Sequence, residues 1–226
     1  MLRKSWVKPL VWVLCLAPAA WLSVRTALIF GLLAPESLGG LFKGLAPIAN
    51  PLDYLTHFTG DWTIRFLCFT LAITPLRKLL RLPDLIRFRR LLGLFALFYG
   101  SLHFLCWLWL DKLFDWNEML KDVAKRPFIT AGFAALVLMI PLAITSTAGW
   151  IRRLGGKRWR ALHRLVYASA IAGAVHYKWL VKPGIRAPFL YIAIFAVLLM
   201  YRVLAWILEQ NRGPAGVRRG APAPVS

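Results

Sequence analysis

The chain has 226 residues, 59% of them hydrophobic, and its 29 Lys and Arg against 9 Asp and Glu give a formal net charge of +20. Such a charge is common in nucleic-acid-binding proteins, yet the basic residues stand in short clusters between apolar segments of about 20 residues, the length that crosses about 30 Å of hydrocarbon. Together with a mean hydropathy of +0.61, this pattern excludes a soluble nucleic-acid binder and predicts an integral membrane protein whose basic loops contact anionic lipid.

The apolar pattern predicts an all-α membrane bundle, because backbone groups exposed to lipid must find their hydrogen bonds within helices. Six segments are long enough to span the bilayer: residues 10–33, 57–76, 91–110, 127–146, 160–181 and 187–208. We expect them to form one six-helix transmembrane domain over residues 1–210. Residues 211–226, with repeated Gly, Pro and Arg, are predicted to be a disordered cytoplasmic tail.

The loop charges predict the orientation of the bundle. Basic clusters lie before the first segment and after the second and fourth, and they comprise Arg3, Lys4, Lys8, Arg77, Lys78, Arg81, Arg87, Arg89, Arg90, Arg152, Arg153, Lys157, Arg158 and Arg160. The positive-inside rule then places both termini in the cytoplasm. Residues 34–56 form the longest outer connection, where Pro and Gly residues, including Pro51, are expected to prevent a regular element.

Two histidines in the outer half of the predicted bundle form the best pair of metal ligands. His103 lies 12 residues from Leu91, or about 18 Å along the helix, and His176 lies 15 residues from Ala161, or about 22 Å. Imidazoles at matched depth on separate helices suit a haem whose axial ligands approach one iron from opposite faces. The three cysteines form no Cys-x-x-Cys-His motif, so the haem is expected to be of the non-covalent b type.

His163 lies near the inner boundary, thirteen residues before His176. Thirteen steps of about 100° leave the two side chains about 140° apart on a regular helix. The residue thirteen positions before His103 is Arg90, so the third segment offers no second histidine, and the spacing favours one haem over two. His163 is an inner ligand with an unusual partner, a contact for a redox donor, or a hydrogen-bonded packing residue. His57, at the outer start of the second segment, is interpreted as a packing residue.

The charged residues in and beside the spans have alternative interpretations. Asp61 and Arg65, four residues apart on one helix face, are expected to neutralise each other; alternatively, Arg65 faces a haem propionate. On the inner side, Arg89, Arg90 and Arg164 are candidate contacts for a flavin phosphate or for the electron donor.

Short motifs over roughly residues 55–182 occur together in a characteristic order. They are His57-Phe-Thr-Gly60, Thr74-Pro75-Leu76, Arg89-Arg90-Leu-Leu-Gly93, Leu102-His103, Arg126-Pro127, Pro141-Leu-Ala-Ile-Thr-Ser146, Arg153-Leu-Gly155, Trp159, Leu162-His163-Arg164, Tyr167 and His176-Tyr177-x-Trp179. Taken together, these motifs resemble the MsrQ family, the haem-binding membrane subunits of bacterial periplasmic methionine sulfoxide reductase systems, within the ferric-reductase-like transmembrane superfamily.

The resemblance implies a multi-pass protein of the bacterial inner membrane that carries b haem, with FMN also attributed to the family. Electrons would come from the quinone pool or a cytoplasmic flavin reductase and pass to a periplasmic molybdopterin-containing MsrP partner, which reduces methionine sulfoxide in oxidised proteins. The family's histidines correspond to His103, His163 and His176. The chain is therefore expected to be the electron-transfer subunit and not the catalytic one, and, without a C-terminal FAD and NADPH domain, not to oxidise a nicotinamide by itself.

Two other classes of protein share parts of this pattern. A cytochrome b subunit of another periplasmic oxidoreductase, or a small ferric reductase, would use the same histidines as ligands. A transporter or membrane scaffold would use them for packing or proton relay. Transport is disfavoured because Asp61 is the one intramembrane carboxylate and no pair of broken helices is predicted.

Overall fold

The computed structural model describes residues 6–33, 48–182 and 184–211, and this part of the chain is helical, without a strand. The helices in chain order are α1 (Val7–Ile29), α2 (Pro51–Leu79), α3 (Ile86–Leu105), α4 (Trp116–Lys125), α5 (Pro127–Ile144), α6 (Ala148–Leu162), α7 (Leu165–Leu180) and α8 (Ala187–Asn211). A 3₁₀ turn precedes α3 and a π-helical turn, Cys106–Asp111, follows it. The all-α class is therefore confirmed.

Four helical stretches of the described residues are long and apolar enough to cross a membrane by length and composition. They are Val7–Ile29, Pro83–Asp111, Pro127–Ile144 and Ala187–Asn211. The two other predicted segments also correspond to helices: α2 has 29 residues but carries the charges of Asp61 and Arg65, and α7 has only 16 residues. These long apolar helices agree with a multi-pass membrane protein.

The fifth predicted segment is not one helix. Residues 160–162 belong to α6, which ends at Leu162, and α7 begins at Leu165 after a break at His163 and Arg164. Apolar periodicity did not reveal the break because the last residues of α6, although basic, lead directly into an apolar run. His163 and His176 therefore do not share a continuous helix, and the expected single span over 160–181 is wrong at its inner end.

Pro51 starts a helix and does not prevent one. It occupies the first turn of α2, where a missing N–H costs nothing, and the Asn50 side chain caps the helix by accepting a hydrogen bond from the Asp53 N–H at 3.2 Å. The rest of the predicted outer loop from residue 34 to 47, and the predicted tail from residue 212 onward, lie outside the described residues.

The helices that matter for function pack as two pairs, α2 with α3 and α5 with α7. Aromatic residues fill the core beside the first pair, where the rings of Phe66 and Tyr99 stack at 5.2 Å. The fully buried Tyr99 hydroxyl also accepts from the Ala19 N–H at 3.0 Å and donates to the Cys15 carbonyl at 2.8 Å. The hydroxyl thus lies between a carbonyl and an N–H of α1 that are four residues apart, beside Pro18, and it links α1 to α3.

Candidate functional site

A cavity of about 500 Å³ lies among α2, α3, α5 and α7. Each of the four helices contributes one glycine to its wall: Gly60, Gly100, Gly132 and Gly173. Because glycine has no side chain, these positions widen the space between closely packed helices. The volume is within the range of about 300–1,000 Å³ that is usual for ligand and cofactor sites.

His103 on α3 and His176 on α7 both line this cavity. Their ring centroids are 5.9 Å apart, and the ring planes are inclined at 78°. The structure thus brings together the two histidines that the depth argument paired, although they come from different helix pairs and are separated by more than seventy residues.

Each imidazole is oriented by a backbone carbonyl of the neighbouring helix. Nδ1 of His103 donates to the Thr56 carbonyl at 2.9 Å, and Nδ1 of His176 donates to the Phe128 carbonyl at 2.7 Å. A hydrogen bond at Nδ1 fixes the tautomer in which Nε2 keeps its lone pair, the form that binds a metal. Both rings therefore have the support that metal-ligating histidines usually show.

The same glycine spacing occurs at both rings. Gly60 follows the acceptor Thr56 by four residues, and Gly132 follows the acceptor Phe128 by four residues. A Cβ at position 60 would lie 3.0 Å from the His103 ring, and a Cβ at position 132 would lie 2.7 Å from Nδ1 of His176. Glycine one helical turn after each carbonyl is thus what lets the imidazole reach it.

The donor set fits a b haem better than a bare metal ion. An imidazole nitrogen lies about 2.0–2.1 Å from a metal such as zinc, so two rings on opposite sides of one metal have centroids roughly 6.3–6.5 Å apart, slightly more than the observed 5.9 Å. No group of three or more His, Cys, Asp or Glu side chains that could hold a metal ion occurs in the described part of the chain. Two imidazoles from separate helices, without further ligands, suit a metal whose other ligands belong to a macrocycle.

One rim of the cavity is polar. It includes Asp53, His57, Asp61, Asp111 and Arg126. The His57 side chain is 46% exposed, and its Nε2 lies 3.3 Å from an Asp53 carboxylate oxygen. His57 is therefore a rim residue with an acidic partner and not the packing residue that its position suggested.

Arg65 forms the pair with Asp61 that its spacing predicted, at 3.2 Å. It also donates from Nε to the Tyr191 hydroxyl at 3.3 Å, and its guanidinium lies 4.9 Å from the ring centroid of Trp62. The side chain is thus held between α2 and α8, and Arg65 is not among the residues that line the cavity.

An ionic network that the sequence did not suggest ties α4 to the ends of its neighbours. Lys112 Nζ lies 2.8 Å from one Asp122 carboxylate oxygen, and Arg126 Nε lies 3.3 Å from the other. The Lys112 and Asp122 side chains are only 11% and 14% exposed. Their hydrogen bond lowers the pKa of the Asp122 carboxyl and raises the pKa of the Lys112 ammonium.

His163 lies at the junction of α6 and α7 and does not line the cavity. Its ring stacks on Trp159 with centroids 4.0 Å apart, and its Nδ1 donates to the Trp159 carbonyl at 3.1 Å. Its buried Nε2 has no hydrogen-bond partner among the described residues. This nitrogen could act as a ligand, but His163 is not part of the cavity that His103 and His176 line.

The three predicted basic contacts of the inner side differ in their surroundings. Arg89 is half-buried and interacts with Tyr167 and Arg202, whereas Arg90 and Arg164 are exposed. Arg202, on α8, donates to the Tyr167 hydroxyl and to one backbone carbonyl on each of α2 and α8. Sequence reasoning missed Arg202, although a charge inside an apolar span was a sufficient signal.

The chain matches known proteins over most of its length. Residues 59–174 match the family model described as the ferric reductase like transmembrane component. The chain is 60% identical over 161 residues to the protein-methionine-sulfoxide reductase heme-binding subunit MsrQ of Herminiimonas arsenicoxydans, covering 70% of this chain and 74% of that protein. It is 45% identical over 202 residues to the MsrQ of Caulobacter vibrioides, covering 89% of each.

A third relative, the MsrQ of Ralstonia nicotianae, is 53% identical over 177 residues, covering 77% of this chain and 78% of that protein. No solved structure matches the chain significantly. The family model covers α3 with His103 and the first part of α7, and it ends two residues before His176. The chain therefore belongs to the MsrQ family of ferric-reductase-like transmembrane proteins.

Proposed function

We propose that the chain binds one b haem between His103 and His176 and carries electrons across the membrane to a periplasmic methionine sulfoxide reductase of the MsrP type. The relatives' names describe a heme-binding subunit of protein-methionine-sulfoxide reductase. The observation that carries the proposal is the pair of imidazoles in one cavity, with ring centroids 5.9 Å apart and each Nδ1 bonded to a backbone carbonyl.

The contacts at this site indicate what each residue would do toward a bound haem. A bound haem supplies a one-electron redox centre whose potential depends on its axial ligands and surroundings. His103 and His176 would hold the iron through Nε2. The Thr56 and Phe128 carbonyls fix their tautomers, and the apolar cavity wall excludes water from the faces of the macrocycle.

We infer a six-span topology in the bacterial inner membrane, with α1, α2, α3, α5, α7 and α8 as spans and both termini cytoplasmic. The basic clusters at one end of these helices support this orientation. With 16 residues, α7 is about 24 Å long, shorter than the hydrocarbon thickness of about 30 Å. The α6–α7 junction would therefore lie within the inner leaflet, and α4 would lie at the outer surface.

The inner end is the proposed side of electron uptake. The exposed Arg90 and Arg164 offer charge to a flavin phosphate, such as that of FMN, or to a cytoplasmic flavin reductase, and the quinone pool is the other candidate donor. The half-buried Arg89 lies on the same side as His163, whose Nε2 is unpartnered among the described residues. His163 is either an inner haem ligand or a contact for the donor.

A spectrum of the purified protein tests the proposal. With dithionite we expect the absorption bands of a reduced b haem, and reoxidation when an oxidised periplasmic partner and methionine sulfoxide are added. A protein without haem bands would contradict the proposal and favour a transporter or scaffold. A reduced haem that the partner cannot reoxidise, but ferric citrate can, would favour a ferric reductase.

A further inference from the structure

We propose that Arg126 binds the carboxylates of the haem propionates, so that the carboxylate edge of the macrocycle points to the outer face. This inference rests on the proposed haem site. Arg126 lines the cavity and is the one Arg or Lys among its described lining residues. It precedes α5 and lies two residues before Phe128, whose carbonyl orients His176.

Arg126 is held in a position that leaves its binding groups available. Its Nε is engaged by Asp122 at 3.3 Å, and Asp122 is anchored in turn by Lys112 at 2.8 Å. A guanidinium has five N–H donors in a planar fork, so the two terminal nitrogens remain for a second carboxylate. The side chain is 54% exposed, which places it at the mouth of the cavity and not in its apolar interior.

The charges around the mouth leave Arg126 as the available cation. Asp53 is paired with His57 at 3.3 Å, and Asp61 is paired with Arg65 at 3.2 Å. Asp122 has its shortest contact with Lys112, so Arg126 shares this carboxylate with a second cation and engages it through Nε alone. Asp111, also on the rim, lies 3.8 Å from Lys112 and is 47% exposed, where water screens its charge.

Arg65, the other candidate for the propionates, is less well placed. Its guanidinium is engaged by Asp61 and Tyr191 and lies over the ring of Trp62. Arg65 would have to leave these partners to reach a ligand in the cavity. It therefore provides a matched control: an arginine of the same outer half, on the neighbouring helix α2, that is committed elsewhere.

Haem dimethyl ester separates recognition of the carboxylates from ligation of the iron, because it keeps the iron and lacks both charges. The full-length apoprotein, purified from haem-limited cells in detergent, is titrated with haem and with the ester. We expect Arg126→Gln to weaken haem binding about tenfold or more, the loss of a charge-assisted hydrogen bond, and to leave ester binding unchanged. Arg65→Gln should change the ratio of the two affinities by less than about twofold.

A second measurement uses protein loaded with haem in the cell. Arg126→Gln removes a positive charge near the iron and should lower the midpoint potential of the haem. Arg126→Lys keeps the charge, so its midpoint potential should lie close to that of the wild type. The inference is overturned if Arg126→Gln keeps the wild-type potential, or if it keeps the wild-type preference for haem over the ester. If the wild-type protein binds neither compound, it is the haem site itself that fails.

Discussion

The rings of His103 and His176 are held in the same way, each by a hydrogen bond to a backbone carbonyl. At His103 and at His176, a ring from one helix approaches a carbonyl of its neighbour through the space that a glycine leaves one turn later. A side chain at Gly60 or Gly132 would occupy that space. The two imidazoles are therefore positioned by backbone carbonyls and by glycines, which have no side-chain chemistry of their own.

Gly132→Ala should reduce haem content strongly. Its Cβ would lie 2.7 Å from Nδ1 of His176, so the ring must move away from the Phe128 carbonyl, at a cost of about 1–3 kcal/mol for overpacking. Haem per polypeptide in the purified variant measures the effect. Gly93→Ala is the control, because Gly93 does not line the cavity and its Cβ would meet only Thr70 at an ordinary 3.6 Å; an equal loss in both variants would show that helix packing, not ring position, is responsible.

Asp122→Asn should destabilise the protein at neutral pH by about 1–3 kcal/mol, because it leaves the nearly buried Lys112 without its closest partner. The pKa of Asp122 is lowered from 3.8 by the hydrogen bond from Lys112. The pair therefore contributes fully above that value, and its contribution is lost as the pH falls through the lowered pKa. The gap in thermal midpoint between wild type and variant should narrow below about pH 4.

Glu118→Gln provides the matched comparison for this pair. Glu118 contacts the same Lys112 at 3.4 Å but is 62% exposed, so its replacement should shift stability by less than about 0.5 kcal/mol. If the Glu118 variant is as unstable as the Asp122 variant at pH 7, the burial of the Lys112–Asp122 pair has no special role.

At the scale of the helices, the junction of α6 and α7 separates the roles of two histidines. His163 ends α6 and stacks on Trp159, while His176 lies near the far end of α7. The break between the helices removes the fixed angular relation that a continuous helix would impose. His163 is thereby associated with the inner, basic side of the molecule and His176 with the cavity.

His163→Ala should leave haem content unchanged at one per polypeptide and should slow reduction by the physiological donor. This expectation follows because His163 does not line the cavity and its Nδ1 is hydrogen-bonded to the Trp159 carbonyl. The check is haem per polypeptide before and after the substitution. A fall from two to one would establish His163 as the ligand of a second, inner haem.

Much of the helical framework could be predicted from the sequence, because spans of about 20 apolar residues have few alternatives in a bilayer. The pairing of His103 with His176 followed from counting residues along two helices. The break at His163 and the helix α4 did not follow, since both involve polar, amphipathic sequence without a long apolar run. The network around Lys112 and Asp122 depends on how α4 folds back, which no local pattern specifies.

At the scale of the whole molecule, the basic clusters and the proposed haem site lie toward opposite ends. The basic clusters lie on the proposed cytoplasmic side, and the cavity mouth with Arg126 and His57 lies on the proposed periplasmic side. Electrons taken up at the inner end would thus leave near the outer surface. The orientation of the chain is therefore part of its proposed function.

Cysteine labelling in intact cells tests this orientation. A cysteine in place of Lys121 on α4 should react with a membrane-impermeant maleimide from the periplasm, and one in place of Arg158 on α6 should react only after lysis. Both positions are exposed in the structure. Of the native cysteines, Cys15 and Cys68 are buried but Cys106 is partly exposed, so labelling is scored against the wild-type chain. The reverse pattern would invert the topology.

The most direct test of the haem site is the haem content of three histidine variants, measured by the reduced b-type absorbance per polypeptide. His103→Ala and His176→Ala should each abolish the absorbance, because each removes one of the two axial ligands. His57→Ala, an exposed rim residue 3.3 Å from Asp53, should retain it. Wild-type haem content in either the His103 or the His176 variant would contradict the proposed bis-histidine site.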